Sequence, residues 1–142
     1  EEKNNKNIRI VKEYLAILES NSIDLTSSFR DLSKILVNDK KIKESVFSNI
    51  PNFVAWYGCW EQELNKNQNL ITAKKMNNIN PCYIPRNHIV EEVLMSAMNN
   101  DLSELNKFIK ILENPFKEIT EYEEYASPQL NSDSNYVTYC GT

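Results

Sequence analysis

Glycine is almost absent: Gly58 and Gly141 are the two in 142 residues. A GxGxxG dinucleotide loop or a GxxxxGK[ST] phosphate loop needs several glycines where backbone approaches phosphate, so this chain can build neither. The same shortage excludes turn-rich sandwiches and barrels, which depend on many tight hairpins. One histidine and three cysteines are a poor supply for a Cys/His zinc site. The thiols, Cys59, Cys82 and Cys140, are odd in number and unclustered, which fits a reducing, cytoplasmic setting better than a disulfide scaffold. No apolar run approaches the roughly 20 residues of a membrane span. Positive charge is not in excess either: 16 Lys and Arg face 20 Asp and Glu, for a net charge of -4. Neither nucleic acid nor an anionic membrane is an expected partner.

What is present is a globular balance, 41% hydrophobic and 25% charged residues, at the length of one domain. The polar start, Glu1-Glu2-Lys3-Asn4-Asn5, has no initiator Met and no apolar leader, and reads as a cut inside a longer protein. Helical periods then dominate. From about Asn5 to Ser20, Ile8, Val11, Leu15 and Leu18 recur on one stripe. Asp24 is placed to cap a second helix with Leu25, Phe29, Leu32, Ile35 and Leu36 on its apolar face. After a turn at Lys41 to Ser48, a third helix from about Asn52 to Asn67 stacks Phe53, Trp56, Trp60 and Leu64, a spacing read as core rather than ligand platform. A short helix around Leu70 to Asn77 follows.

The densest local signal is Asn80-Pro81-Cys82-Tyr83-Ile84-Pro85-Arg86-Asn87-His88. Its prolines hold an extended entry, and Pro85 suits the first turn of a helix running to about Met98. Ile89 or Val90, Val93 or Leu94, Ala97 and Met98 are expected to face inward. Asn99-Asn100 stops that helix, Asn being tolerant of the left-handed conformation. Asp101 and Glu104 form a capping-box variant for a last helix, whose apolar face is Leu102, Leu105, Phe108, Ile109 and Leu112 and which Asn114-Pro115 closes. The expected architecture is all-α, about six helices in a single helical domain over residues 1–115. An extended tail, 116–142, completes it and ends in Tyr139-Cys140-Gly141-Thr142.

Little of this is obvious chemistry. His88 precedes Glu91 and Glu92 by helical spacing, but a metal needs three or more converging ligands and no further set is evident. Arg86 puts a cation at a helix N-terminus, against the macrodipole, so it calls for a carboxylate partner. That partner is either local and structural or part of another domain, and Asn87 shares its position. Cys59 sits mid-helix and reads as a small hydrophobe, and Cys82 has no base beside it. Cys140 stands third from the end with glycine after it, a candidate for reversible disulfide chemistry.

The Asn80-Pro81-x-Tyr83-Ile84-Pro85-Arg86-Asn87-His88 string, the helix pair after it, the Asn114-Pro115-Phe116 stop and the Tyr136-Val137-Thr138-Tyr139-Cys140-Gly141-Thr142 end together resemble the C-terminal part of the selenoprotein O (SelO, YdiU) family. The resemblance covers essentially the whole chain. It implies protein adenylyltransferases with a kinase-like fold, which transfer AMP from ATP, with Mg²⁺ or Mn²⁺, to hydroxyl side chains of protein substrates. The family's nucleotide loop, ATP lysine and metal-binding Asn and Asp have no matching positions here, so no catalytic, cofactor or metal residue is carried over. What carries over is Cys140, at a position that is selenocysteine or cysteine in the family and is associated there with a disulfide to the catalytic part. The partners implied are the upstream kinase-like domain in cis and the substrates of the parent enzyme. Two departures stand out: Asn100-Asp101 replaces the family's usual Gly-Asp, and Cys82 stands where a basic residue is commoner. The competing reading is a stand-alone helical interaction module, with no enzymatic role, whose acidic, tyrosine-bearing tail binds a partner protein.

Overall fold

A computed structural model describes residues 2–64 and 66–129. Among them the chain is all-α, with seven α-helices and three short 3-10 turns. The α-helices are α1 (Glu2–Ser20), α2 (Leu25–Val37), α3 (Pro51–Gln62), α4 (Asn69–Ile79), α5 (Asn87–Met98), α6 (Ser103–Leu112) and α7 (Glu123–Ala126). They group into two compact units that divide between Asn80 and Pro81.

The first unit is built on aromatic rings. Tyr14 of α1 stacks on Trp56 of α3 at 4.6 Å between centroids, and Phe47 lies nearly parallel to Phe53 at 3.8 Å. The Trp56 indole N–H donates to the Ile10 carbonyl at 2.8 Å, so this large ring is buried without an unpaired donor. Phe53, Trp56 and a partly buried Trp60 confirm the aromatic stripe as core. Phe47 is equally buried, yet it follows the 3-10 turn Asp39–Glu44, where no helical period marks it.

The α1 stripe is a correction. Ile10, Tyr14, Ile17 and Leu18 face the core, whereas Ile8, Val11 and Leu15 are exposed. Apolar residues occupy two adjacent stripes of this helix, and Tyr14, apolar in body and polar at its tip, decides which is buried.

Asp24 caps α2 as expected, accepting from the Ser27 N–H at 2.8 Å. Three polar residues of α2, Ser28, Arg30 and Ser33, are unexpectedly buried, and Arg30 and Ser33 face α4. The Arg30 guanidinium donates to the carbonyls of Asn77 and Asn80 at 3.2 and 3.3 Å, at the C-terminal end of α4. A cation there complements the negative end of the helix dipole while satisfying carbonyls that the helix leaves unpaired. Ser33 adds a 2.6 Å hydrogen bond to the Asn77 side chain.

In the second unit α5 and α6 form the hairpin read from the sequence, turned by Asn100 at φ 63°. Ile89, Val93, Phe108 and Ile111 are its buried contacts. Met98, expected inside, is exposed, as are Leu102 and Ile109. The capping box is half made. Asp101 accepts from the Ser103 N–H at 2.9 Å, but Glu104 turns instead to the Tyr125 hydroxyl. Within the stretch assigned to the tail, Thr120–Tyr122 and α7 are helical turns that bring Tyr122 and Tyr125 into this core. No helix among the described residues is long and apolar enough to cross a membrane.

Candidate functional site

The two segments that stand out in the sequence of the second unit are joined in space. Proline at 81 and 85 keeps the entry to α5 extended, which leaves its backbone donors without helical partners. The Cys82 and Tyr83 N–H groups donate to the Pro115 carbonyl at 2.7 and 3.3 Å. The Cys82 thiol points at the same oxygen, 3.0 Å away. Tyr83 completes the clasp: its hydroxyl accepts from the Ile119 N–H at 2.9 Å and donates to the Ile119 carbonyl at 3.1 Å. A buried phenol thus satisfies both polar groups of one peptide residue in the following loop. Cys82 is a buried structural thiol in this setting, and Cys59 is exposed on α3.

Helix α5 begins at Asn87, two residues beyond Pro85, because Arg86 is still extended at φ -72° and ψ 136°. Arg86 is half-buried at the cap position and Asn87 is exposed on the first turn. Cys140, the predicted redox residue, lies outside the described residues.

His88 and Glu92 both line an open cleft of about 430 Å³, with Ser96, Glu104, Glu124 and Tyr125. The Tyr125 hydroxyl donates to Glu104 Oε2 at 3.0 Å, and the Lys107 ammonium lies 4.9 Å from the centre of the Tyr125 ring and 3.5 Å from Glu124. Burial pushes the Tyr125 phenol above its ordinary value, and the bond with Lys107 opposes that rise. Lys107 is raised in turn, chiefly by its bond to Tyr125, with the Glu104 and Glu124 carboxylates adding to it. Sequence reasoning missed this group because Glu104 and Tyr125 lie 21 residues apart and no local pattern joins them.

The cleft does not fit a nucleotide. Its lining carries three glutamates and no Lys or Arg, so a triphosphate would meet net repulsion there. Nor does the donor set fit a metal: among the described residues no three His, Cys, Asp or Glu side chains are grouped to hold an ion. What the arrangement does supply is a fixed loop-to-helix corner, presented at the start of α5.

Comparison with known proteins gives this corner a context. The sequence profile described as protein adenylyltransferase SelO matches residues 1–113. A protein nucleotidyltransferase YdiU of Mycolicibacterium paratuberculosis is 36% identical over 137 residues, which is 94% of this chain and 27% of that protein. The YdiU protein of Bacillus cereus is 35% identical, again across 94% of this chain and 27% of the relative. In Syntrophotalea carbinolica a YdiU protein is 31% identical across 99% of this chain and 28% of its own length. The chain therefore spans little more than a quarter of the curated relatives it matches. No solved structure matches it. With the profile running through both compact units and ending just after α6, the chain belongs to the protein adenylyltransferase SelO family.

Proposed function

We propose that this chain is the C-terminal helical part of a SelO-type protein adenylyltransferase. In this reading it packs on a kinase-like catalytic domain of the same polypeptide and carries a redox-regulatory thiol, Cys140. The observation that supports it is the disparity in length: a family match over residues 1–113 in a chain equal to only 27% of its relatives. Transfer of AMP from ATP, with Mg²⁺ or Mn²⁺, to protein hydroxyls would then be carried out by residues outside this chain.

Residues 1–115 are the helical part of this proposal, and 116–142 a tail whose first turns return to α5 and α6 through Tyr122 and Tyr125. Beyond them the tail delivers Cys140 to a thiol of the catalytic part. Closing that disulfide removes two electrons and two protons, which a small-molecule disulfide accepts by exchange. Arg86 and Asn87 are the proposed interdomain or structural contacts, at the corner where the Cys82–Tyr83 clasp fixes the start of α5.

The test is peptide mapping by mass spectrometry of the non-reduced, longer polypeptide, alongside its AMP-transfer activity under oxidising and reducing conditions. The expected result is a disulfide from Cys140 and an oxidant sensitivity that Cys140→Ser alters. A free Cys140 together with identical activity in both redox states would remove the regulatory role.

A further inference from the structure

Helix α5 is apolar on both sides. Ile89 and Val93 are buried against α6, while on the opposite side Leu94 is 52%, Met95 64% and Met98 83% exposed. Asn87, Glu91, Leu94 and Met98 recur at i, i+4, i+7 and i+11, the alternating four-and-three spacing of a helix–helix seam. Met95 adjoins this row, and Leu102 is 54% exposed just beyond the helix end. Single exposed apolar residues are ordinary on a protein surface. Several large ones in line on one helix mark a surface that something covers.

We infer that this outward face of α5 is the seat of an apolar helix from the remaining SelO-length polypeptide. The inference rests on the functional reading above and names the surface that reading requires. Three observations favour this occupant over others. The relatives carry nearly three-quarters of their length beyond what this chain spans, so covering chain is available in cis. The row begins at Asn87, on the first turn of α5 and within the Asn80 to His88 string, so the corner fixed by Cys82, Tyr83 and Pro115 also fixes the seam's direction. Exposed Glu91 lies within the row, so a basic residue on the incoming helix would pair with it. The two methionines suit such a seat, because an unbranched thioether adapts its shape to the surface it meets.

The chain's three methionines make the test direct. Brief peroxide oxidation followed by peptide mass spectrometry reads the sulfoxide formed at Met95 and Met98, with the partly buried Met76 as internal reference. It is run on the 142-residue chain and on the longer polypeptide that carries it. Met98 is expected to oxidise several-fold more slowly in the longer polypeptide, Met76 at the same rate in both. Leu94→Glu in the longer polypeptide is expected to return Met98 to the rate of the shorter chain. Equal Met98 rates in the two proteins would overturn the inference. So would protection already present in dilute shorter chain, which would assign the face to its own residues, or protection that grows with concentration, which would assign it to a second copy. Failure of the functional reading shows separately, as absence of AMP transfer by the longer polypeptide whatever the oxidation rates.

Discussion

The two compact units solve the same problem with different means. In the first, stability comes from side chains meeting side chains: Tyr14, Phe47, Phe53 and Trp56 form one aromatic cluster, and α1, α2 and α3 are organised around it. In the second, a smaller core is supplemented by a clasp in which Cys82 and Tyr83 hold the peptide groups of Pro115 and Ile119. The first strategy tolerates an irregular surface but no loss of ring volume. The second fixes a loop in one place, which is what a contact corner needs. The contrast is between a unit held by ring packing and a unit held in part by hydrogen bonds to a loop backbone.

The largest effect that could break this contrast is a cavity in the aromatic cluster. Phe53 is fully buried, so Phe53→Ala is expected to lower stability by about 3–5 kcal/mol, read by denaturant unfolding. Removing only the hydroxyl of Tyr83 should cost less, about 1–2 kcal/mol, because Tyr83→Phe leaves the Ile119 N–H without its partner. Hydrogen exchange should localise that loss to residues 115–122. A Tyr83→Phe penalty as large as that of Phe53→Ala would erase the distinction between packing and clasp.

Alkaline titration sharpens the comparison more gently. Burial raises Tyr14, and burial with help from the Glu61 and Asp39 carboxylates pushes Tyr57 up from 10.0 to about 12. Below pH 10 both tyrosines are protonated whether the chain is folded or not. Above it the unfolded chain loses protons that the folded chain keeps, so stability falls as pH rises toward about 12. Tyr125 in the second unit is also raised, but Lys107 favours its phenolate and reduces the effect. Loss of near-ultraviolet signal from the Trp56 environment is therefore expected to begin above pH 10. An unchanged signal through pH 12 would contradict the burial assigned to Tyr14 and Tyr57.

Much of the scaffold was legible in the sequence because it is periodic and punctuated. Asp24 announced a cap, Asn100 a left-handed turn, and Phe53 with Trp56 a buried stripe. What was not legible is what has no local period. Phe47 sits after a 3-10 turn, and Arg30 reaches carbonyls 47 and 50 residues away. The Cys82–Pro115 contact spans 33 residues. On α1 and α5 the period itself misled, since apolar residues lie on two faces and only the tertiary neighbours decide which is buried. The period predicts Met98 inward for that reason, and its exposure is what points to the seam on α5. The candidate site was legible as a motif but not as a structure: the Asn80 to His88 string marks the place, while its clasp to Pro115 and Ile119 joins residues more than 30 apart in sequence with no local pattern between them.

The division of labour between this chain and the rest of a SelO-length protein is tested most directly by ATP binding. Mg-ATP is titrated calorimetrically into the 142-residue chain and, in parallel, into the longer polypeptide. The account predicts saturable binding heat from the longer polypeptide and none from the chain alone. Saturable Mg-ATP binding by the chain alone would contradict it.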